Sequence, residues 1–254
     1  FLNRTRILNL MLGIKIHNHP KLESPNMLAA LPDMGNVAGI GVSYIIKKLN
    51  AKLFAEIYAY WPPYVSYTNG VVDYNQSSYK FYYLENENLL IFNGEFNPTD
   101  PRRLYEICYE VVQMAERMKV KRLYSIGAAF RQESSTKLNV FGAVNNEHLL
   151  EYIRNFGISI LEGKGEIIGF NGLLLGIAKE RHLDAACILG EIDNPNIVQP
   201  KTAQNILAVL VNILGIQPFN MSELDEEEEK KKLMEDQMSH LEHTTESGDP
   251  PGIA

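Results

Sequence analysis

At 254 residues, 45% hydrophobic and 22% charged, with a net charge of −7, the chain has the length and composition of a soluble globular protein. The acidity is uneven: segment 221–254 holds eleven acids against Lys230, Lys231 and Lys232, or −8, which leaves about +1 for residues 1–220. A neutral body has no concentrated basic face, which argues against nucleic-acid binding. The early apolar run at 7–14 is too short to span a bilayer and lacks a small-residue cleavage site. Cys108 and Cys187 both fall in apolar patterns. They are expected to be buried, reduced core residues, as in a cytoplasmic protein.

Residues 5–16 read as a strand, followed by His17-Asn-His19-Pro20. His-x-His can present two rings on one face, but no third metal ligand lies nearby in sequence, so a solvated turn is expected instead of a metal site. Next comes Met27–Leu31, a short apolar run, broken at Pro32-Asp33-Met34-Gly35 and continued as a helix to Leu49. Val37, Ile40, Gly41, Tyr44, Ile45 and Lys48 fall on one side at helical spacing, and Asp33 or Asn36 is placed to accept from the free N–H groups at the helix start. A strand, a tight glycine turn and a helix N-terminus is how α/β proteins build a ligand site at a strand end.

Lys52–Tyr60 is a predicted strand, ended by Trp61-Pro62-Pro63. Two hairpins are expected after it. Residues 65–67 and 71–74 flank Asn69-Gly70, a strong turn signal, and 79–84 and 89–93 flank 85–88. Six of the thirteen tyrosines lie between 64 and 83. They suit a half-exposed sheet face or a subunit interface, with Tyr64, Tyr67 and Tyr74 the interaction candidates.

Asp100-Pro101 opens a helix running to about Met118, and Leu123–Ala129 is a strand that leads to Arg131. A strand at 137–144, a helix at 145–156 closed by Gly157, a helix at 173–180, a buried strand at 184–190 and an apolar helix at 200–214 closed by Gly215 follow. This alternation predicts a single-domain α/β fold, a mixed sheet with helices on both faces and an antiparallel hairpin insertion. Residues 1–220 form its body. Segment 221–254 is an acidic extension, helical to about Leu241 and disordered over 247–252. Its sparse stripe of Leu233, Met234, Met238 and Leu241 suits either a solvated helix or one that needs a partner.

Gly35, Gly39 and Gly41 form a GxxxGxG spacing, with Glu56 about where a ribose-binding acid would stand. The dehydrogenase reading fails because a hairpin, not a helix, follows the second strand, and because the only Tyr-x-x-x-Lys pair, Tyr44 and Lys48, lies in the glycine helix itself. Neither a Walker motif nor a Gly-x-Ser-x-Gly elbow is present. One constellation survives. Asp33, Gly35 and Asn36 follow one strand end, and Arg131 and Glu133 follow another, so both loops can open on one crest. Such a set could grip a phosphorylated ligand, or it could serve only as a loop-stabilising ion pair. No cofactor and no metal is expected.

The blocks Leu-Pro-Asp-Met-Gly-Asn-Val-Ala-Gly at 31–39, Gly-Glu-Ile-Ile-Gly-Phe-Asn-Gly-Leu-Leu-Leu at 165–175 and Ala-Cys-Ile-Leu-Gly-Glu at 186–191 carry a family likeness over about 22–216. On these the chain resembles the proteasome assembly chaperone 2 family, in its archaeal branch. The resemblance implies an α/β fold related to nucleoside phosphorylases, without established catalysis. It also implies a homo-oligomer, in ring form, and contacts with proteasome α subunits or with a chaperone paralogue. Some relatives dock through a C-terminal hydrophobic-Tyr-any motif. This sequence closes on Gly252-Ile253-Ala254, so that mode is not carried over. Two functions are therefore expected to compete: a non-enzymatic assembly chaperone or activator, and a phosphorylase-like nucleoside- or phosphate-binding enzyme using the 33–36 and 131–133 loops.

Overall fold

The computed structural model describes residues 12–59, 65–73, 77–131 and 139–246, without the side chains of 12, 59, 73, 77, 78 and 236–246. Its elements begin with β1 (Leu12–Ile16), β2 (Asn26–Ala30), a 3-10 turn at Met34–Asn36, α1 (Val37–Lys48) and β3 (Lys52–Ala59). Next are β4 (Ser66–Thr68), β5 (Val71–Asp73), β6 (Ser77–Leu84), β7 (Leu89–Gly94), α2 (Pro101–Arg117) and β8 (Arg122–Phe130). The chain continues through β9 (Val140–Val144), α3 (Leu149–Arg154), β10 (Ser159–Ile160), α4 (Gly169–Glu180), β11 (Ala185–Ile192), α5 (Pro200–Leu214) and α6 (Ser222–Glu246).

Nine strands form one mixed sheet in the order β1-β3-β6-β7-β2-β8-β11-β9-β10. At its centre β7, β2, β8 and β11 run parallel. On one side β1, β3 and β6 continue antiparallel, and on the other β9 is antiparallel to β11. Strands of a parallel centre must be apolar on both faces, and all eight residues of β11 are buried. Ile107, Val111 and Ala115 of α2 join Phe170, Leu174 and Ala178 of α4 in one core. Val37, Val42 and Ile45 of α1 join Ala203, Ile206 and Leu210 of α5 in another, on the opposite face. The predicted mixed sheet with helices on both faces is therefore the one observed.

Local chemistry explains most boundaries. Asp100 accepts from Arg102 N at 2.8 Å and Pro101 opens α2, while Gly215 closes α5 in the left-handed region. Asn69 and Gly70 both have positive φ, as the two-residue turn between β4 and β5 requires. That hairpin forms a separate two-stranded sheet, whereas the β6–β7 hairpin is built into the main sheet between β3 and β2.

Three predicted elements shift. The helix expected at 145–156 shrinks to α3, because Asn145 and Asn146 are spent elsewhere. Buried Asn145 donates to Leu183 O at 2.7 Å and accepts from Ala185 N at 2.9 Å, and Asn146 donates to Asp184 at 3.0 Å. The helix expected from Leu173 starts earlier, at Gly169, whose φ of 71° lets the chain turn into it. The strand expected at 137–144 is seen from Val140. Tyr64, Tyr74, Glu133, Trp61-Pro62-Pro63, the start of the first predicted strand and segment 247–252 lie outside the described residues.

The first turns of α6 are fastened to the body. Leu224 is buried in the α1–α5 core. Glu223 pairs with Lys48 at 2.6 Å, Asp225 with Lys201 at 3.0 Å, and Glu228 accepts from the Lys201 backbone N–H at 3.2 Å, capping the start of α5. Lys231, only 7% exposed, donates to Gln199 Oε1 at 2.9 Å and lies within 4 Å of Glu228 and Glu235. Beyond it Leu233 and Met234 point to solvent.

Candidate functional site

The carboxyl ends of β2, β8 and β11 lie side by side and form a crest that collects most of the predicted site residues. Asp33 follows β2. Its Oδ1 accepts from Ala38 N at 2.8 Å, so Asp33, not Asn36, serves the start of α1. Asn36, in the left-handed region, turns its side chain over Gly39. Burial pushes the Asp33 carboxyl up to about 6, although backbone N–H groups, those of Ala38 and Ala128 first among them, act to lower it.

Gly35 is where the crest is closed from the side. Its N–H donates to Pro195 O and its carbonyl accepts from Gln199 N, both at 2.9 Å. With φ at 63° and a would-be Cβ only 2.6 Å from Gln199 Cγ, the position suits glycine alone. Gln199 in turn donates to Asp193 at 3.0 Å and to Asn194 O at 2.8 Å, and receives Lys231. The turn after β2, the loop after β11 and α6 are thus one hydrogen-bonded assembly.

Arg131 stands at the end of β8, half exposed, with Nη1 3.5 Å from Glu191 Oε1. Glu191, next to last in β11, is 3% exposed; its Oε2 accepts from Asn139 N at 3.0 Å and Nδ2 at 2.7 Å. Arg131 was expected to work with Glu133, which lies outside the described residues; the structure gives it Glu191 as partner. Glu191 and Gln199 were missed as site residues. The available signal was a lone carboxylate closing the apolar run Ala185–Gly190. Nothing in local spacing announces that Gln199 and Lys231 meet.

The arrangement is short of donors for a phosphate. The Gly35 and Ala38 N–H groups are taken by Pro195 and Asp33, and the nearest charge to the turn is a carboxylate. The glycine helix is accounted for by packing: Gly41 lies against Ile126. Glu56 is on β3, which does not neighbour β2, and it accepts from Tyr58 at 3.0 Å and pairs with His17 at 2.7 Å. Among the described residues no group of three or more His, Cys, Asp or Glu is set to hold a metal.

The interaction candidates divide. Tyr67 is 74% exposed on the β4–β5 hairpin, beside exposed Val65, Val71 and Val72. Leu233 and Met234 are exposed on α6, while Met238 and Leu241 lie on the same helix with side chains outside the description. Among the described residues no helix is long and apolar enough to cross a membrane.

The fold and crest define a mixed α/β protein whose strand-end loops are tied to one another. A model of the PAC2 family matches residues 27–241, and the chain belongs to that family. Among solved structures it is similar to Pyrococcus furiosus PbaB, described as an archaeal proteasome activator, at 26% identity and a TM-score of 0.77 over 91% of this chain and 99% of that one. It is similar to Pyrococcus furiosus PbaA, described as an archaeal homolog of proteasome-assembly chaperone, at 22% identity and a TM-score of 0.74, over 93% and 96%. A proteasome-assembly chaperone homologue of Mycobacterium tuberculosis shares the fold at 17% identity and a TM-score of 0.66, over 85% and 94%. A comparison with curated proteins found no match.

Proposed function

We propose that the chain is a non-enzymatic protein-binding member of its family that assists assembly or activation of a proteasome by contacting proteasome subunits. The observation that carries this reading is the likeness to PbaB, which spans 91% of this chain and 99% of the other. The crest supports it. Asp33, Gly35, Gln199 and Glu191 spend their polar groups on holding loops together, the work of a scaffold and not of a catalytic set.

In this reading the protein works in the cytoplasm of an archaeon as a homo-oligomer, and α subunits or a chaperone paralogue are its partners. The body spans 1–220. Segment 221–254 is its acidic extension; its helix is anchored by Leu224 and Lys231 and presents exposed Leu233 and Met234, with Met238 and Leu241 following in sequence as further contact candidates. The hairpin carrying Tyr67 is the second contact surface, with Tyr64 and Tyr74 flanking it in sequence. The test is native mass spectrometry of the protein alone and mixed with α subunits of its own proteasome. The expected outcome is an oligomer of fixed size that captures α subunits and loses them when 233–254 is removed. A monomer that ignores α subunits overturns the reading.

A further inference from the structure

The dipeptide Asn-Gly occurs three times in the chain, at 69–70, 93–94 and 171–172. Asparagine is a thermolabile residue. Glycine after it offers a backbone nitrogen with no side chain in the way, one ring closure from the asparagine amide carbon. The chemistry is the same at all three pairs, and the fold gives them different surroundings.

Asn93 and Gly94 end β7 inside the main sheet. Asn93 is paired with Lys80 on one side and Ala30 on the other, and Gly94 with Tyr79. A Cβ on Gly94 would run into Tyr79 and Leu31. Asn171 and Gly172 lie in the first turn of α4, where a Cβ on Gly172 would run into the Ile167 carbonyl. For either pair to bring side-chain carbon onto backbone nitrogen, a packed element must first open. Asn69 and Gly70 stand instead at the tip of the β4–β5 hairpin. Residues 65–72 are all exposed, and a Cβ on Gly70 would meet nothing within 4 Å. The last pair below the tip is Thr68 with Val71, so the Gly70 N–H lies outside the ladder. The two strands have three residues each and form a sheet of their own. A lone two-stranded hairpin is marginal in water, so this one opens locally at little cost.

We propose that Asn69 is a deamidation site, through which the hairpin is rewritten as the protein ages. The Gly70 nitrogen, having given its proton to hydroxide, attacks Cγ of Asn69. The new N–C bond closes a cyclic succinimide, the Cγ–Nδ2 bond breaks, and Nδ2 takes a proton from water and leaves as ammonia. Water then opens the ring at either carbonyl, giving aspartate or isoaspartate. Each product places a negative charge near exposed Tyr67. Asp-Gly still fits the turn. Isoaspartate carries the main chain through its side-chain carboxyl and is longer by a methylene, so it does not fit a turn closed by two residues of positive φ, 51° and 81°. The inference is independent of the assembly role.

The experiment holds the full chain in mildly alkaline buffer, folded and in parallel unfolded in urea, and follows each pair by peptide mapping and isoaspartate-specific methylation. In the folded chain Asn69 is expected to convert first, with Asn93 and Asn171 slower by about tenfold or more, because their elements open less often. In urea the three should convert at similar rates. The Asn69 rate should rise with hydroxide concentration. Gly70→Ala should slow it, although alanine strains the turn and favours opening. Similar rates at all three pairs in the folded chain, or an Asn69 held as far below its rate in urea as the other two, overturns the site. Of the two separated products, the aspartate form should keep the cross-strand NMR contact between Tyr67 and Val72 and the isoaspartate form should lose it. Retention in both overturns the rewriting of the hairpin.

Discussion

The parallel centre of the sheet and its antiparallel flank solve the same packing problem with different side chains. In the centre, β2 and β11 are small and branched, Met27–Ala30 and Ala185–Ile192, and helices cover both faces. In the flank, Phe54, Tyr79, Phe81 and Tyr83 form an aromatic cluster that reaches Phe92 at the edge of the centre, ring to ring at centroid distances of 5.0–6.2 Å. The centre leaves its carboxylates at strand ends, where Asp33 and Glu191 are served by the loops that follow the strands. The flank places Glu56 mid-strand, where His17 and Tyr58 serve it. Parallel strands need long crossovers, and these gather loops at one edge; antiparallel strands return by short turns and keep their polar groups within the sheet.

The largest expected effect tests whether the two regions are one unit. Phe92 on β7 is fully buried, stacks with Tyr79 in the flank and with Phe170 of α4 over the centre. Phe92→Ala should cost about 3–5 kcal/mol and leave a single urea transition. Two separated transitions would break the comparison into two folding units.

Next in size is the pH response of the centre. The Asp33 carboxyl is raised from its ordinary 3.8 to about 6 by burial. Between those values the folded chain holds a proton that the unfolded chain has released. Stability from this group therefore rises as pH falls through about 6, by about 2–3 kcal/mol in all. Asp33→Asn should flatten that part of the stability curve; an unchanged curve places the carboxylate in ordinary solvent.

The smallest effect has the opposite sign and belongs to the flank. Burial acts to raise Glu56, but the hydrogen bonds from His17 and Tyr58 outweigh it and hold the carboxyl below its ordinary value. Its contribution is present above the ordinary glutamate value and is lost as pH falls through the lowered one. Glu56→Gln should remove a slope opposite to that of Asp33, read by thermal unfolding across the acid range. Slopes of the same sign would erase the contrast.

What the sequence made legible follows the same division. Asn69-Gly70, Asp100-Pro101, Gly215 and the Met27–Leu49 unit are written in neighbouring residues, and the structure has each of them. The insertion of β6 and β7 between β3 and β2 is not, because strand neighbours far apart in sequence are chosen by sheet packing. Within the site, Asp33, Gly35 and Arg131 stood out because each follows a strand. Asn171 lies inside a block that carries the family likeness, and its close approach to β8 depends on Gly127 having no side chain. The pairing of Gln199 with Lys231 spans 32 residues, beyond any periodicity.

The cap that Glu228 places on the start of α5 has a consequence for the order in which the chain becomes whole. The Lys201 N–H and its acceptor are 27 residues apart in synthesis. At about 5–20 residues per second, α5 waits roughly one to five seconds on the ribosome with that donor unmet. Emergence of the acidic helix then completes it, so a nascent chain arrested before Glu228 carries an unfinished helix and an uncovered lysine edge.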